Sequence, residues 1–341
     1  MVAAAPDYTV DGSSLALVSS VYRGILAPNA QNAQQPEDVI AFMDQEMRTT
    51  IVPLVLAAQE EFWVKNYDQP VVSGTFNYTI PKRAAFATWR DVVFVDPNKN
   101  EINMSMLSPE YLKLTYPAGG NPPLYAFGFI LQNDQIILYP NTLPAPTQYR
   151  LRMKIKRRPN NLTQTTNCAQ IISINTGTNV VSVSAVPTTW TATDTFDIIP
   201  NSPQFTSLRD DQTISLINAN NLTFSSPGVD PFTGLPLSAL PTNAETGAFT
   251  MQVGDWVCPS QMSCIPQVPY DMFPLLVQRS IIRVLESLGD TQNLTVAERR
   301  YQDMAVDFAR TVSPRIDGTP KKIVNRNTPG WWGNAGFPFM R

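Results

Sequence analysis

Carboxylates are the side chains in this sequence that could catalyse a reaction, because its 341 residues include no histidine. Without an imidazole, the Ser-His-Asp and Cys-His nucleophile systems and histidine acid/base catalysis are excluded. Two carboxylates across a cleft could still cleave a glycosidic bond, and the adjacent pairs Asp210-Asp211 and Glu60-Glu61 could contribute to one. Since adjacency in sequence does not set the separation of two carboxyl groups, we expect no catalytic residue and no enzyme.

The cysteines do not have the spacing of a common metal site. Cys168, Cys258 and Cys264 are an odd number and contain no Cys-x-x-Cys pair. A free cysteine usually behaves as a small buried hydrophobic residue. The sequence also has no glycine-rich phosphate loop. We therefore expect no metal and no cofactor.

The composition is that of a globular protein with an acidic balance. Hydrophobic residues make up 43% and charged residues 16%, and the net charge of -3 gives a sequence pI near 5.1. These values argue against a surface that binds nucleic acid throughout. The sequence has neither an apolar run of the length needed to span a bilayer nor the pattern of a signal peptide. We expect synthesis in the cytoplasm and no membrane contact.

An amphipathic helix is predicted near the start of the chain. From Pro36 to Lys65, apolar residues recur every three or four positions, and Pro36 suits the first position of a helix. Pro53 lies inside this pattern. Because proline lacks a backbone N–H and clashes with the preceding turn, we expect a kink or two abutting helices there.

A helical hairpin is predicted near the end of the chain. The helical period returns at Asp271, and Gly289 is a natural C-terminal cap. Thr295 and Glu298 have the spacing of a capping box, which predicts the start of a second helix.

The long region between these helices has the alternating pattern of antiparallel strands. The runs are VVSGTFNYTI, WRDVVFVD, YAFGFILQNDQIILYP, QYRLRMKIK, AQIISINTGTNVVSVSAV and ISLINANNLTFS. QNDQ and NTGTN within them are typical of hairpin turns. Lysine and arginine become rare after Asn160, which divides the region in two.

These patterns predict an α+β fold. We expect an antiparallel helical bundle made from both chain ends, a large inserted antiparallel β region of two subdomains, and extended terminal arms. The predicted units are an N-terminal arm (1–35), the helical bundle (36–68 and 271–313), a first β subdomain (69–161), a second, nested β subdomain (162–270) and a C-terminal arm (314–341).

One predicted strand carries a basic face, because apolar and basic side chains alternate strictly from residue 149 to residue 156. This face could meet nucleic-acid phosphates or an acidic partner surface. Alternatively, it belongs to an edge strand whose charges prevent unwanted pairing. The basic residues are Arg150, Arg152, Lys154, Lys156, Arg157 and Arg158.

The C-terminal arm combines helix-breaking residues with aromatic and basic ones. Disordered segments are normally poor in aromatic residues, and tryptophan and arginine dominate binding hot spots. We therefore expect the arm to dock on a partner; packing on its own domain and disorder are the alternatives. The candidate binding residues are Lys321, Lys322, Ile323, Val324, Arg326, Trp331, Trp332, Phe337 and Phe339.

The order of several segments resembles the head-to-tail adaptor proteins of tailed bacteriophages, the neck or connector rings beneath the portal. The segments are QEMRTTIVPLVLAAQEEF, NYTIPKRA, WRDVVFVD, YRLRMKIKRRPNNL, PQVPYDMFPLLVQRSIIRVLESLGD and SPRIDGTPKKIVNRN. The likeness extends from about residue 36 to residue 328.

This resemblance implies a structural virion protein of the neck, made in the host cytoplasm. It implies a ring, a dodecamer, that extends the DNA channel and provides the platform for the tail. The implied partners are other copies of the chain, the portal protein, tail or nozzle proteins, and passing double-stranded DNA without sequence-specific binding. In such adaptors the helical bundle forms the ring, and the arm at 314–341 would reach the portal. We expect the β insertion to attach the tail or fibres.

Two alternatives from other classes remain open. One is a virion-associated protein that cleaves bacterial surface glycans, which requires a carboxylate pair with one raised pKa. The other is a carbohydrate-binding tail protein, which predicts that the fragment 69–265 alone binds glycans.

Overall fold

The computed structural model describes most of the chain but not its last part. The described residues are 12–25, 34–58, 62–72, 75–96, 100–107, 128–132, 134–139, 149–201, 207–226, 239–240 and 251–312. The predicted C-terminal arm, with every candidate binding residue from Lys321 to Phe339, therefore lies outside the described residues.

The described residues contain helices at both ends and strands between them. The helices are α1 (Ser14–Gly24), α2 (Pro36–Glu46), α3 (Val52–Ala58), α4 (Phe273–Leu288) and α5 (Thr291–Val312), with a π-helical turn at Met47–Ile51 that joins α2 to α3. Single turns of 3-10 helix lie at Thr165–Asn167 and Tyr270–Met272. The strands are β1 (Val64–Pro70), β2 (Asn77–Thr79), β3 (Ala84–Val95), β4 (Glu101–Asn103), β5 (Ser105–Met106), β6 (Gly128–Gln132), β7 (Gln135–Tyr139), β8 (Arg150–Arg157), β9 (Asn161–Leu162), β10 (Ala169–Asn175), β11 (Val180–Val183), β12 (Thr195–Ile199), β13 (Arg209–Asn218), β14 (Asn221–Phe224), β15 (Trp256–Pro259) and β16 (Met262–Ser263).

The first β unit consists of two four-stranded sheets, ordered β1-β8-β3-β4 and β2-β7-β6-β5. They share one buried core, to which β8 contributes Met153 and β7 contributes Ile136 and Leu138. Alternation along β8 buries every second residue, which is the pattern of a strand with one face on a core. We call this unit the sandwich.

The second β unit is a closed barrel. Its six strands pair antiparallel in the order β10-β11-β14-β13-β12-β15, and β15 pairs with β10 to close the ring. Phe196, Ile198 and Leu222 fill its core. The predicted NTGTN turn joins β10 to β11, where the Asn175 side-chain oxygen accepts hydrogen bonds from the backbone N–H groups of Gly177 and Thr178. Closure protects the strand edges, which explains how short strands form a stable unit.

The helices form a third buried core together with residues next to the barrel. Helix α4 contacts α1, α2 and α5, and it buries side chains such as Leu276 and Ile282. The core around it also contains Leu162, Ile199 and Ile265, which belong to or flank the β strands. The helices are therefore a layer packed on the barrel.

The predicted fold class is wrong. The described residues form more strand than helix, and six of the strands form a closed barrel. Among the described residues there are only four helices, counting α2 and α3 as one. The helical period at both chain ends identified these helices, but it could not show that strand residues complete their core. They do not form a bundle from which the β region is merely an insertion.

The N-terminal segment also differs from the expectation of an irregular arm. Residues Ser14–Gly24 form helix α1, which buries Leu17, Val18 and Val21 against the helical layer. Its N-cap is Ser13, whose side-chain oxygen accepts a hydrogen bond from the backbone N–H of Ala16 at 3.4 Å. The sequence is rich in small polar residues there, which hid a short amphipathic pattern.

Of the two predictions made from Pro53 and from the capping box at Thr295, the first agrees with the structure and the second does not. The chain changes to a π-helical turn at Met47–Ile51, just before Pro53, as expected for a helix disturbed by proline. Helix α5 begins at Thr291, so Thr295 lies inside it and the predicted capping box is wrong. Asp290 caps the helix instead, since its carboxylate accepts a hydrogen bond from the backbone N–H of Asn293 at 3.1 Å.

None of the helices in the described part of the chain has the length and hydropathy to cross a membrane.

Candidate functional site

A network of charged side chains joins the sandwich to the barrel. The sandwich supplies three cations: Lys65 from β1, Arg83 from the turn before β3, and Arg157 from the end of β8. The barrel supplies three carboxylates. They are Asp197 of β12 and Asp210 and Asp211 of β13. These six residues, which we call the ion network, lie in and beneath an open cleft of about 820 Å³.

A bulge in β13 places two of the carboxylates. The pairing of β12 with β13 shifts between Phe196 and Ile198, so Asp210 and Asp211 lie opposite Asp197 without regular ladder partners. Asp211 has a φ of 52°, in the left-handed region that aspartate tolerates better than most residues. Because a bulge redirects side chains, both carboxylates meet the arginines of the sandwich.

Asp197 is the centre of the network and is fully buried. Arg83 binds it with both terminal nitrogens, at 2.8 and 2.9 Å. The Asn160 side-chain amide donates at 2.7 Å, and the backbone N–H groups of Asp211 and Gln261 each donate at 3.0 Å. Five donors therefore compensate the loss of water around this carboxylate.

Arg157 is also buried, with 1% of its side chain exposed. It donates to Asp210 at 2.7 Å, to the Asn160 side-chain oxygen at 2.9 Å and to the Gln267 side-chain oxygen at 3.1 Å. Lys65 donates to the other oxygen of Asp210 at 2.7 Å. Each ion in the network consequently has a partner of opposite charge, and the three cations balance the three anions.

The surrounding charges decide how these carboxyl groups titrate. Burial by itself raises the pKa of Asp210, but Arg157, Lys65 and Arg83 outweigh burial and lower that pKa far below its usual range. Burial likewise opposes ionisation of Asp211, whereas hydrogen bonds from Arg83 and Ser260 lower its pKa overall. The pKa of Arg83 is raised, because Asp197 and Asp211 outweigh the opposing effect of burial. All three groups stay charged near neutral pH.

This titration does not suit the glycan-cleaving role considered for Asp210-Asp211. A general acid in such an enzyme needs a carboxyl group that keeps its proton, and therefore a raised pKa. Both carboxylates are instead held ionised in ion pairs. The other nominated pair, Glu60-Glu61, lies outside the described residues. What the network can do is fix the sandwich to the barrel.

The predicted basic strand is β8, and it is not an edge strand. It lies between β1 and β3 in the centre of its sheet. Arg152 pairs with Asp68 at 2.8 Å and with Glu101 at 2.7 Å, and Lys154 pairs with Glu101 at 2.8 Å. Carboxylates on β1, which is next to β8, and on β4, which lies beyond β3 in the same sheet, thus neutralise much of the basic face.

The remaining basic candidates divide between the two faces of β8. Arg150 lies 3.6 Å from Asp68, and Lys156 is partly exposed on the same face. Arg157 lies on the opposite, buried face within the ion network, so the structure removes it from any surface that meets DNA or a partner. Arg158 follows the strand and is exposed.

A second buried carboxylate holds the helical layer together. Glu46 at the end of α2 is 1% exposed, and α4 supplies Arg279 at 2.7 Å and Arg283 at 2.6 Å. Burial opposes ionisation of Glu46, but hydrogen bonds from Thr50 and the two arginines lower its pKa. Arg279 also lies over the ring of Tyr301, 5.3 Å from the centroid, which connects α5 to the same group.

The three cysteines are brought together in the core beside the barrel. Their sulfur atoms all lie within 4.8 Å of one another, and those of Cys258 and Cys264 are 4.0 Å apart. Burial raises the pKa of Cys168 and of Cys264. Burial also opposes ionisation of Cys258, but sulfur hydrogen bonds from the other two lower its pKa to about 5. The expectation that the cysteines are buried is confirmed.

Sequence reasoning missed the ion network and the cysteine cluster. Arg83 and Asp197 are 114 positions apart, and no local pattern links them. Among the members of the network, only the Asp210-Asp211 pair and Arg157 were singled out, and each for another role. The one available signal was a pair of acidic residues in a strand pattern, where charge is unusual.

Comparison with known proteins adds no assignment, since no protein-family model and no curated protein matches this chain.

Proposed function

We propose that the protein is a structural virion protein that assembles into a head-to-tail adaptor ring. We infer this functional class from the sequence segments given above, whose order resembles that in phage adaptors. One observation supports self-assembly, namely that the described part of the chain covers the apolar stripe of α5 only in part. The proposal does not depend on a helical bundle, because a helical layer packed on the barrel can present the same surface.

The stripe consists of residues at helical spacing that pack only partly against the core. Tyr301, Met304, Ala305 and Phe308 recur every three or four positions, and all are half-buried. Val306 beside them is 49% exposed. Helix α4, in contrast, buries eight of its residues. Among the α5 residues whose side chains are described, only Ala297 is buried, which favours a surface for another protein.

A second copy of the chain is the occupant that we propose for this surface. Head-to-tail contacts between identical subunits form a ring when the rotation closes. Rings of an adaptor need such a heterologous contact at every junction. A dodecamer around the DNA channel is the assembly that the resemblance implies.

The neutralised basic strand is consistent with a channel that lets DNA pass. Tight DNA binding needs many lysine and arginine contacts with phosphates. On β8, however, Arg152 and Lys154 are already paired with Asp68 and Glu101. A net charge of -3 also disfavours holding DNA.

The C-terminal arm remains the proposed contact with the portal. Trp331, Trp332 and Phe337 would fill apolar pockets, and Lys321 and Arg326 would meet acidic surface. A chain that ends after Ser313 should fold and remain largely monomeric, and it should fail to join portal-bearing heads. Normal attachment of that truncated chain would contradict this role of the arm.

Sedimentation velocity of the full chain tests the self-assembly surface. Phe308→Asp places a charge on the stripe, so we expect monomers under conditions in which the wild type forms a ring. Gln302→Asp is the matched control, since Gln302 is an exposed residue of the same helix. If Phe308→Asp assembles as the wild type does, with the same thermal stability, α5 is not the interface.

A further inference from the structure

All three cysteines of the chain meet at one place, although Cys168 is far in sequence from Cys258 and Cys264. Cys168 follows a 3-10 turn and precedes β10, Cys258 lies in β15, and Cys264 follows β16. Their sulfur atoms lie within 4.8 Å of one another. Cys258 and Cys264 are completely buried, and Cys168 is 5% exposed.

The sulfur triangle has the size of a three-thiolate coordination site. An equilateral triangle with 4.0 Å sides, the separation of Cys258 and Cys264, has its centre about 2.3 Å from each corner. That value equals the usual length of a zinc–sulfur bond, about 2.3 Å; because zinc is usually four-coordinate, a further ligand such as water would complete its coordination. With 4.8 Å sides the centre would be about 2.8 Å away. Each sulfur would need to move inward by at most about 0.5 Å.

We propose that Cys168, Cys258 and Cys264 bind one soft metal ion, with Zn²⁺ as the expected ion. Thiolates select soft or borderline ions such as Zn²⁺ and Cu(I). Each sulfur binds as a thiolate, so its proton is released to solvent on binding. The charge on the site is then -1 with Zn²⁺ and -2 with Cu(I), and a smaller net charge costs less in an apolar core.

Two simpler interpretations explain less of the geometry. Cysteine is a common small core residue, but a buried residue touches only about 6–12 others. Cys258 and Cys264 are close in sequence, but Cys168 is far from both, and the described core contains several times that number of buried residues, so chance alone rarely places such a third cysteine in the same contact group. A disulfide between Cys258 and Cys264 would need their sulfurs to approach to about 2.05 Å and would leave Cys168 unused.

The proposed ion would connect the barrel to the helical layer. Cys258 belongs to the barrel, whereas the backbone carbonyl of Cys264 accepts a hydrogen bond from the N–H of Ser14 in α1 at 2.7 Å. The cysteines also belong to the core that the helices share. Because folding creates the ligand set, metal binding should stabilise the folded chain.

Metal content and thermal stability of the full chain test this proposal together. The reduced protein is incubated with one equivalent of Zn²⁺, passed through a desalting column and analysed for zinc. We expect about one ion per chain and a higher Tm than in the presence of a chelator. A parallel sample with Cu(I), kept free of oxygen, identifies which soft ion the site retains. Retention of either ion at this stoichiometry supports the site.

Cys258→Ala and Ile199→Val separate metal binding from core packing. Ile199 is 1% exposed in the same core, so its substitution removes packing without removing a ligand. We expect Ile199→Val to retain the ion and its effect on Tm, and Cys258→Ala to lose both. The proposal is overturned if the reduced wild type retains neither ion, if Cys258→Ala retains as much as the wild type, or if mass spectrometry shows a Cys258–Cys264 disulfide in the native protein.

Discussion

Replacing Arg157 by methionine should strongly destabilise the protein. Methionine keeps most of the volume but removes the charge from a side chain that is 1% exposed. Asp210 loses the nearest arginine and the Asn160 side-chain oxygen loses its donor, whereas the Gln267 oxygen keeps a hydrogen bond from the backbone N–H of Asn160. Each buried acceptor left without a partner costs about 1–3 kcal/mol. Breaking a buried ion pair from one side costs about 3–5 kcal/mol in total, which is the loss that we expect.

Lys154→Met is the matched control for this substitution. Lys154 lies three residues earlier in the same strand, on the other face, with its side chain 25% exposed. It has an ion pair with Glu101 at 2.8 Å. Exposed pairs of this kind contribute about 0.2–1 kcal/mol. Both variants lose a cation, so the difference between them measures the effect of burial.

The assay is urea-induced unfolding, followed by tryptophan fluorescence and circular dichroism. A double variant, Arg157→Met with Asp210→Asn, removes one cation and one anion and restores the charge balance. We expect the two substitutions to cost about 1–3 kcal/mol less together than the sum of their separate costs. If Arg157→Met costs no more than Lys154→Met, or if the double variant is simply additive, the ion network does not join the sandwich to the barrel.

Three further predictions concern pH, the helical layer and one turn. The folded-state pKa values of Asp210, Asp211 and Glu46 are lowered. These carboxylates therefore stabilise the folded protein fully above about pH 5, and this stabilisation is lost as the pH falls below about 4. Tm values that do not fall on acidification would contradict this. Glu46→Gln should lower the free energy of unfolding by about 1–3 kcal/mol, measured by thermal unfolding. Glu286→Gln, at an exposed residue, should lower it by less than about 1 kcal/mol. Equal losses would refute a special role for Glu46. Gly289→Ala should lower the free energy of unfolding by about 1 kcal/mol, because the backbone there has a φ of 70°, which alanine adopts with strain. Steric clash adds nothing, since an added Cβ meets no atom within 4 Å. An unchanged Tm would show that the turn adapts.

Local structure could be predicted where the signal is local. The helical period found α2 and α4, and the Gly289 cap is confirmed by its left-handed conformation. The QNDQ and NTGTN turns connect β6 to β7 and β10 to β11, as expected. Each of these predictions depends on residues a few positions apart, whose physics the sequence displays directly.

Tertiary features could not be predicted from the same patterns. Closure of the barrel depends on the pairing of Ala169 with Val257, across almost 90 positions. The alternation of β8 revealed a strand with a basic face, but not the carboxylates of Asp68 and Glu101 on other strands of the same sheet. The fold class was wrong for that reason, since periodicity shows which face is buried and not what covers it.

We propose that copies of this chain form a ring that lies beneath a portal. Electron microscopy of the purified full chain mixed with portal rings tests it most directly. We expect closed rings that are stacked coaxially on the portal, with α5 at the subunit junctions. Single, unassociated subunits beside bare portal rings, at concentrations that saturate the mixture, would contradict it.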